Sequence, residues 1–538
     1  MKYKERIQKL ITTLKSGLYE RGEIVALSLL ALLSGQSVFL FGLPGTAKSL
    51  IARRISLAFK NSEFFENLMN RFTTPEDIFG PIDIKELKEA RYKRKTLKFL
   101  PRAAVAFLDE IWKSGTAILN SLLTIINERK FRNGDEVEDV PLKGIISASN
   151  EIPPEGQGLE ALYDRFIIRL LVKPLQKREN FELLLNAEPV SAVIPVDESL
   201  QFSDEEWEDL MDLSKLVDIS KESFDIIHSV RTKIDHFNTN NKDKLIYISD
   251  RRWQKIALIL KTSACLCDRD TVLPVDVLVL KNCLWTKEGN RESLAEMVED
   301  SVREFCPYNS DKYEQWLDIL DDLKSEVEET FFYNSDVYEA HEEVNGEKCF
   351  RTALAIPYCE RKHDSWGGYS SEYEEKKKNI NIYIPFKFLK KSTDFQALGE
   401  DGNEINTITC NFNGTAKVSI KVAYEYRANH YNSSQTKYAT YSWEISPAYK
   451  KGDCKKVTSR TKNMYKKNVQ AHIEQHKEIA KEINAYYIDM QERNKNPFVS
   501  EKDQGIVTAA IQEYLKGMEV GMLDAEQLLS KLNNHVDA

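Results

Sequence analysis

The sequence predicts an α/β protein: a three-layer αβα core, an all-α lid, and a helical arm that carries a small all-β module. Short apolar runs at Ser37–Phe41, Val105–Leu108 and Gly144–Ala148 alternate with helical stretches. Such alternation is typical of a parallel sheet covered on both faces. Apolar residues then recur at helical spacing from about 200 to 290, and alternating β-type runs separated by Gly, Asn and Ser fill about 336 to 450.

The length of the chain predicts several domains. A chain of 538 residues is too long for one hydrophobic core, so three or four domains are expected. We place the core at 1–190, the lid at 191–290, the first part of the arm at 291–335, the β module at 336–450 and the second part of the arm at 451–538. The β module would then be an insertion in the arm.

The composition is that of an ordinary soluble protein, with 42% apolar and 30% charged residues. The net charge of −9 argues against a surface that coats nucleic acid. The amino-terminal segment lacks the apolar region of a secretory signal, and the longest apolar run, Ile24–Leu33, is about half of a membrane span. We therefore predict a cytoplasmic protein without membrane insertion, whose eight scattered cysteines are reduced thiols.

A candidate phosphate-binding loop follows the first predicted strand. Its residues are Gly42-Leu43-Pro44-Gly45-Thr46-Ala47-Lys48-Ser49, and a helix follows from Leu50. A tight loop that feeds a helix amino terminus offers converging backbone N–H groups to phosphate. Lys48 would reach the β- and γ-phosphates and Ser49 would ligate Mg²⁺. Ala47 stands where the usual pattern has its second glycine. The predicted ATP or ADP contacts in this segment are Gly42, Gly45, Thr46, Ala47, Lys48, Ser49 and Leu50.

Two adjacent acids end the next apolar strand, at Asp109 and Glu110. Because side chains alternate along a strand, Asp109 can face Mg²⁺ while Glu110 acts as the general base toward water. The alternative is that both acids cap the following helix, which the preceding phosphate loop makes less favourable.

Two further polar residues fit a hydrolysis site. Asn150 ends the strand that begins at Gly144, and its amide could orient water near the γ-phosphate. Arg165 could project into the nucleotide of a neighbouring subunit. The structural alternatives are a turn residue for Asn150, and for Arg165 a surface ion pair with Asp164 or Glu160.

Together these segments resemble the MoxR branch of AAA+ ATPases, in which Ala before the loop lysine is usual. The chain is most similar to the regulatory ATPase variant A (RavA) subfamily over about residues 10–290. The segments that carry the closer resemblance are Gly17–Arg21, Thr74–Pro81, Leu108–Lys113, Ile126–Gly134 and Ser249–Trp253.

The resemblance implies further roles. Tyr19 would contact the adenine or its ribose. Arg251 would be the sensor-2 arginine that reads the γ-phosphate alongside Lys48 and Asn150, with Arg252 as its rival; a helix-start ion pair with Asp250 is the structural alternative.

The resemblance also implies a homohexameric ring, with a von Willebrand factor A domain protein as a partner. The segments Phe72–Leu100 and Phe131–Gly144 would be inserts facing the pore, the second with a hairpin turn at Asn133-Gly134. The β module would hold an unidentified client. It does not match the module with which some RavA proteins bind a lysine decarboxylase.

The sequence thus predicts a ring ATPase that remodels, or assists the maturation of, a partner complex. Two other functions remain open. One is a motor that moves along nucleic acid, favoured by basic residues in the first insert: Arg91, Lys93, Arg94, Lys95 and Lys98. The other is a nucleotide-gated scaffold with little turnover.

Overall fold

The computed structural model describes residues 2–153, 158–188, 190–241, 245–363, 369–427 and 434–535. The chain divides into two compact units. The first unit contains Met1–Ser310 and Glu478–Glu519, and the second contains Asp311–Lys477 and Val520–Ala538. The units therefore change at Asp311, Glu478 and Val520, whereas the sequence placed the limits of the arm at 291 and 451.

The first unit is built on a five-stranded parallel sheet of order β2-β3-β6-β1-β7. The strands of this unit are β1 (Ser37–Phe41), β2 (Phe64–Leu68), β3 (Val105–Asp109), β4 (Lys130–Asn133), β5 (Glu136–Asp139), β6 (Gly144–Ser149), β7 (Phe166–Leu171), β8 (Asp218–Ile219) and β9 (Thr271–Val272). All residues of β6 are buried, as expected for a strand covered on both faces. The predicted α/β core is confirmed.

Helices cover this sheet and then form the lid. They are α1 (Tyr3–Leu14), α2 (Gly22–Leu33), α3 (Lys48–Ser56), α4 (Pro75–Phe79), α5 (Ile84–Lys88), α6 (Thr116–Glu128), α7 (Glu160–Tyr163), α8 (Arg178–Asn186), α9 (Asp204–Leu216), α10 (Lys221–Asn240), α11 (Asp250–Leu266), α12 (Pro274–Val277) and α13 (Glu288–Phe305). Ten residues of α2 are buried, which explains its nearly continuous apolar sequence.

The parallel sheet has two distinct edges. Phe41 is paired with both Ser149 and Leu171 at the carboxyl ends of the strands, whereas Ser37 is paired with Phe166 at the amino ends. A strand of five residues is about 13 Å long. Segments that leave the strands therefore lie on one side of the core, and segments that enter them lie on the other.

The remaining helices are α14 (Asp311–Phe331), α15 (Ser459–Arg493), α16 (Glu501–Val507) and α17 (Ala509–Asn534). Of these, α15 and α17 contribute residues to both units.

In the first unit, the segment Glu478–Glu519, with which the chain returns to this unit, contacts the lid through a buried carboxylate. Asp276 pairs with Arg269 at 2.6 Å and accepts a hydrogen bond from Asn496 at 2.7 Å. A buried carboxylate needs polar partners, and Asn496 supplies one of those of Asp276. This hydrogen bond joins the returning segment to the lid.

The helical part of the second unit is held by reciprocal bonds between Trp316 and His472. The indole nitrogen of Trp316 donates to the His472 carbonyl at 2.9 Å, and Nε2 of His472 donates to the Trp316 carbonyl at 2.9 Å. The two rings are stacked with their centroids 4.5 Å apart. These bonds join α14 to α15.

The β module is a seven-stranded antiparallel sheet whose spatial order follows the chain. Its strands are β10 (Glu342–Val344), β11 (Glu347–His363), β12 (Tyr369–Pro385), β13 (Phe395–Leu398), β14 (Glu404–Asn411), β15 (Lys417–Arg427) and β16 (Ser434–Glu444). The all-β prediction is confirmed. β12 ends at Pro385, where a 3₁₀ turn begins.

The two chain ends of the β module lie side by side. Tyr333 donates its backbone N–H to the Asp453 carbonyl at 3.0 Å, and Gly452 donates to the Tyr333 carbonyl at 2.8 Å. The rings of Tyr333 and Tyr449 are stacked at 4.6 Å. The module is thus closed at its base.

The eight cysteines are all free thiols. Within the described residues, no helix combines the length and the apolar content that crossing a membrane requires.

Candidate functional site

The phosphate loop leaves β1 at the carboxyl-end edge of the sheet and runs into α3. Gly45 and Ala47 both have left-handed backbones, with φ of 78° and 69°. A Cβ on Gly42 would lie 2.3 Å from the Val172 carbonyl oxygen, so only glycine fits there. Ala47 therefore adopts the conformation for which the usual pattern uses glycine, at some cost in backbone strain.

The loop keeps its backbone donors available. Within the described residues, the amides of Gly45, Thr46 and Ala47 donate to no backbone carbonyl. Lys48 is buried at the start of α3, and its ammonium donates to the carbonyls of Gly42 at 2.7 Å and Leu43 at 2.9 Å. Converging amides beside a lysine at a helix amino terminus suit a phosphate chain.

Asp109 and Glu110 lie near this lysine. Burial lowers the pKa of Lys48, and the negative charges of Asp109 and Glu110 oppose that shift. Burial likewise raises the pKa of Asp109, against a hydrogen bond from the Glu110 amide and the charge of Lys48. β3 ends at Asp109, and Glu110 turns away with a left-handed φ of 51°. The backbone therefore leaves the extended conformation at Glu110, and the strand alternation on which the sequence prediction depended ends at Asp109.

Asn150 follows β6 at the same edge. The Gly42 amide donates to the carbonyl of the preceding residue, Ser149, at 3.1 Å, which ties this strand end to the phosphate loop. The Asn150 side-chain oxygen is buried and has no hydrogen-bond partner within the described part of the chain. Parallel-strand topology thus brings Asn150, Asp109 and Lys48 to one edge.

Ser49 and Asp109 could hold Mg²⁺ there. The described residues contain no cluster of three or more His, Cys, Asp or Glu that could hold a metal by itself. Mg²⁺ in phosphate-transfer sites takes only one or two protein ligands and completes its shell with phosphate oxygens and water. A serine hydroxyl and one half-buried carboxylate fit that requirement.

Arg21 supports the loop and was not predicted from the sequence. Its Nε donates to the Thr46 carbonyl at 3.3 Å and its Nη2 donates to the Lys173 carbonyl at 2.7 Å. Tyr19 lies two residues before Arg21 in the chain and is half-buried. The only signal for Arg21 was its place in the segment Gly17–Arg21.

Arg165 and Arg251 lie together at the opposite edge of the sheet. Arg165 directly precedes β7, whose first residue is paired with Ser37. Arg165 Nε and Arg251 Nη2 donate to the same oxygen, Oδ1 of Asn127, at 2.8 and 2.6 Å. The structure therefore does not bring Arg251 together with Lys48 and Asn150 of its own chain. Packing of α11 against the amino-end edge places it beside Arg165 instead.

Arg252, the rival of Arg251, is fully buried. Its Nη2 donates to the Cys283 carbonyl at 2.7 Å and to the Ile167 carbonyl at 3.1 Å, and its Nη1 lies 3.3 Å from Asp164 Oδ1. Arg251 is exposed, so it is the arginine of this pair that remains accessible. The ion pair of Arg165 with Asp164, which was the structural alternative for this arginine, is long: Nη1 of Arg165 lies 3.9 Å from Oδ2 of Asp164.

The two inserts contact each other. The hairpin β4–β5 is present, but its two turn residues are Gly134 and Asp135, one position later than the Asn133-Gly134 turn expected from the sequence. The Asn133 side chain accepts a hydrogen bond from the Arg94 amide at 2.7 Å and donates to the Arg94 carbonyl at 3.2 Å, and a Cβ on Gly134 would lie 1.9 Å from the Tyr92 carbonyl oxygen. The hairpin and the first insert therefore form one assembly.

Most of the basic residues of the first insert are paired with acids. Lys93 lies 2.7 Å from Glu136, and Arg94 lies 3.3 Å from Glu76. The remaining pairs are Arg91 with Glu86 and Glu89, and Lys95 with Asp83. Local neutralisation of this kind weakens the case for a nucleic-acid surface.

Comparison with known proteins gives matches over the core and the lid. Residues 5–211 match the family model described as the MoxR domain in the MoxR-vWA-beta-propeller ternary systems, and residues 222–298 match an AAA lid domain. Two uncharacterized proteins of Methanocaldococcus jannaschii, MJ0079 and MJ0812, are each 34% identical over 60% of this chain, and the alignments cover 80% and 81% of those proteins. A solved structure from Cytophaga hutchinsonii matches 56% of this chain and 94% of its own, with a TM-score of 0.45 and 17% identity.

Proposed function

This chain belongs to the MoxR family of AAA+ ATPases, and we propose that it hydrolyses ATP as a hexameric ring to remodel, or assist the maturation of, a partner complex. One observation carries the proposal: the candidate site is divided between two edges of one sheet. Lys48 and Asp109 lie at the carboxyl-end edge, and Arg165 and Arg251 lie at the amino-end edge. Two copies are needed to bring these groups together.

At the carboxyl-end edge, the residues of one chain bind ATP. The loop amides and Lys48 hold the β- and γ-phosphates, and Tyr19 contacts the adenine or ribose. Ser49 and Asp109 would hold Mg²⁺, which would supply positive charge to the phosphates. Glu110 accepts a proton as the water oxygen attacks the γ-phosphorus and the bond to the ADP oxygen breaks, and the Asn150 amide orients that water.

At the amino-end edge, Arg165 and Arg251 of one copy stabilise the charge that develops at the nucleotide of its neighbour. Both arginines act in trans in this scheme, since they share the Asn127 oxygen. Asn127 lies near the end of α6, two residues before Arg129 and directly upstream of the β4–β5 hairpin. Loss of the γ-phosphate from the neighbour's nucleotide can therefore shift the hairpin and the first insert that packs on it.

The partners follow from the family match and from the module. The matched family model is described by its occurrence in MoxR-vWA systems, which supports a partner with a von Willebrand factor A domain. The β module has a core of its own around Ile382 and Ile408 and would bind the client. A pull-down with the full-length chain as bait would identify the client.

The test is phosphate release from ATP by the full-length chain with Mg²⁺. Glu110→Gln should lower turnover by about 10²-fold or more and leave ATP binding intact, because the general base is removed while the phosphate contacts remain. Glu182→Gln, on the exposed helix α8, is the matched control. Sedimentation with ATP should show a hexamer for the wild type and for both variants.

Other outcomes assign other functions. Equal turnover by Glu110→Gln and wild type would refute the assigned base. Absence of turnover by the wild type, alone and with its von Willebrand factor A partner, would establish the scaffold. Strong stimulation of turnover by single-stranded nucleic acid would establish the translocating motor.

A further inference from the structure

A small cavity of about 210 Å³ lies between α11 and the amino-end edge of the sheet. Its lining is strongly cationic. Within the described residues, the charged side chains that line it are Arg129, Arg165, Arg251, Arg252, Lys255 and a single carboxylate, Asp164. The lining therefore carries a large uncompensated positive charge.

The one carboxylate is already engaged. Asp164 Oδ2 accepts a hydrogen bond from the Ser249 hydroxyl at 3.1 Å, and Oδ1 lies 3.3 Å from Arg252. Arg252 is in turn satisfied by backbone carbonyls such as that of Cys283. Asp164 is thus shared between Arg252 and a longer contact of 3.9 Å to Arg165, which leaves Arg129, Arg251 and Lys255 without an opposing charge in the cavity.

Arg129 has half of its guanidinium unpaired. Its Nη2 donates to the Gly35 carbonyl at 2.7 Å and to the Lys143 carbonyl at 3.2 Å. Its Nη1 is buried and has no hydrogen-bond partner within the described part of the chain. Burial lowers the pKa of Arg129 to about 10, so the group is still charged at neutral pH. A buried charged donor without a partner is costly, and a bound anion removes that cost.

Lys255 presents a second unpaired cation. It follows Arg251 by four residues on α11, so both side chains project from the same face of the helix. Lys255 is half-buried and has no carboxylate within ion-pair distance among the described residues. Burial lowers its pKa, and the charges of Arg129 and Arg251 lower it further.

We propose that this cavity binds a phosphate-class oxyanion, inorganic phosphate or pyrophosphate, with Arg129 and Lys255 as its inner ligands and Arg251 at its exposed side. A water molecule takes about 30 Å³ in the liquid, so a cavity of about 210 Å³ holds one such anion and a few waters. It is smaller than the roughly 300–1,000 Å³ typical of larger ligands. A dianion also matches several cations better than a single carboxylate does, and guanidinium groups bind phosphate oxygens in pairs.

This inference goes beyond the proposed function, because it concerns one chain whether or not that chain hydrolyses ATP. The test uses the full-length chain with Lys48→Ala, which weakens anion binding at the phosphate loop. Calorimetric titration with pyrophosphate, at an ionic strength held constant with sodium chloride, should show one saturable site for each chain. Adding Lys255→Met should weaken that binding by about tenfold or more, as expected when a charged ligand is lost.

The control is Lys261→Met, which removes a lysine from the same helix outside the cavity and should change the affinity by less than about twofold. Lys255→Gln serves as a second variant with the same expected loss, and Lys255→Arg should retain binding. Absence of saturable binding, or equal affinity with and without Lys255, would overturn the proposal. Equal binding of acetate would overturn the phosphate assignment. None of these measurements requires ATP turnover, so the two proposals fail independently.

Discussion

Arg165 in the core and Arg251 in the lid donate to one and the same side-chain oxygen, Oδ1 of Asn127, at 2.8 and 2.6 Å. The two guanidinium groups carry like charges and would otherwise repel each other. A shared acceptor holds them as a pair and joins the orientation of the lid to that of the core. Asn127 is therefore a positioning residue, and its place in the segment Ile126–Gly134 was its only signal in the sequence.

Replacing Asn127 tests this role. Asn127→Leu should lower kcat by about tenfold with little change in KM, because the two arginines lose their common acceptor while the ATP-binding loop is untouched. Asn127→Asp keeps an acceptor oxygen at that position and should restore most of the rate. Steady-state kinetics of the two variants would contradict the role if Leu were as active as Asn.

Mixing of inactive variants tests which chain each arginine serves. Lys48→Ala and Arg165→Ala should each be inactive, and an equimolar mixture should regain activity, since an intact loop then meets an intact arginine of a neighbour. Arg251→Ala mixed with Lys48→Ala should also regain activity.

The second mixture is the decisive one. If Arg251 served its own chain, every site in that mixture would lack one group and no activity would return. Lys48→Ala mixed with Glu110→Gln is the negative control, because both changes affect the same edge of the sheet.

Arg251 and Arg252 should differ in their effect on stability. Arg252→Met should lower the free energy of unfolding by about 3–5 kcal/mol, because it leaves Asp164 and several buried carbonyls without their partner. Arg251→Met should change it by less than about 0.5 kcal/mol, since its side chain is exposed. Denaturant unfolding followed by circular dichroism separates the two. Similar losses for both variants would show that Arg251 is also structural.

The burial of His472, whose hydrogen bond to the Trp316 carbonyl only partly opposes the resulting fall in its pKa, predicts a pH dependence of stability. Burial is the largest cause that lowers the pKa of His472, and the charge of nearby His476 lowers it further. The unfolded chain therefore binds a proton more readily than the folded one, and stability is lost as the pH falls below about 6.5. Calorimetry between pH 5 and 8 should show this loss for the wild type and a smaller slope for His472→Gln. An unchanged slope would assign the effect to another group.

The carboxyl-end edge of the site could be predicted from the sequence because local rules determine it. A glycine-containing loop between a strand and a helix has few possible geometries, and strands that are parallel bring their ends to one edge. Lys48, Asp109 and Asn150 therefore lie on the same side without any knowledge of the lid. The left-handed turn at Glu110 was not visible, since no local pattern marks it.

The amino-end edge could not be predicted in the same way. The position of Arg251 depends on how α11 packs against the core, and its partner Asn127 lies 124 residues away in the chain. Propensity and spacing carry no information at that range. Within the β module, the individual strands β10 and β13 have three and four residues, too few for an alternating pattern to stand out.

At the closed base of the β module, the Gly452 amide donates to the Tyr333 carbonyl and the Tyr333 amide donates to the Asp453 carbonyl, so the two ends of the inserted segment are adjacent. An inserted segment whose ends are adjacent can be exchanged for another, or shortened to a tight loop, without changing the span between the helices that carry it. In the proposed function, recognition of clients can then diversify while the α/β core and the lid stay constant. Related chains that share this core and lid and differ in the inserted sheet are the evolutionary pattern to expect.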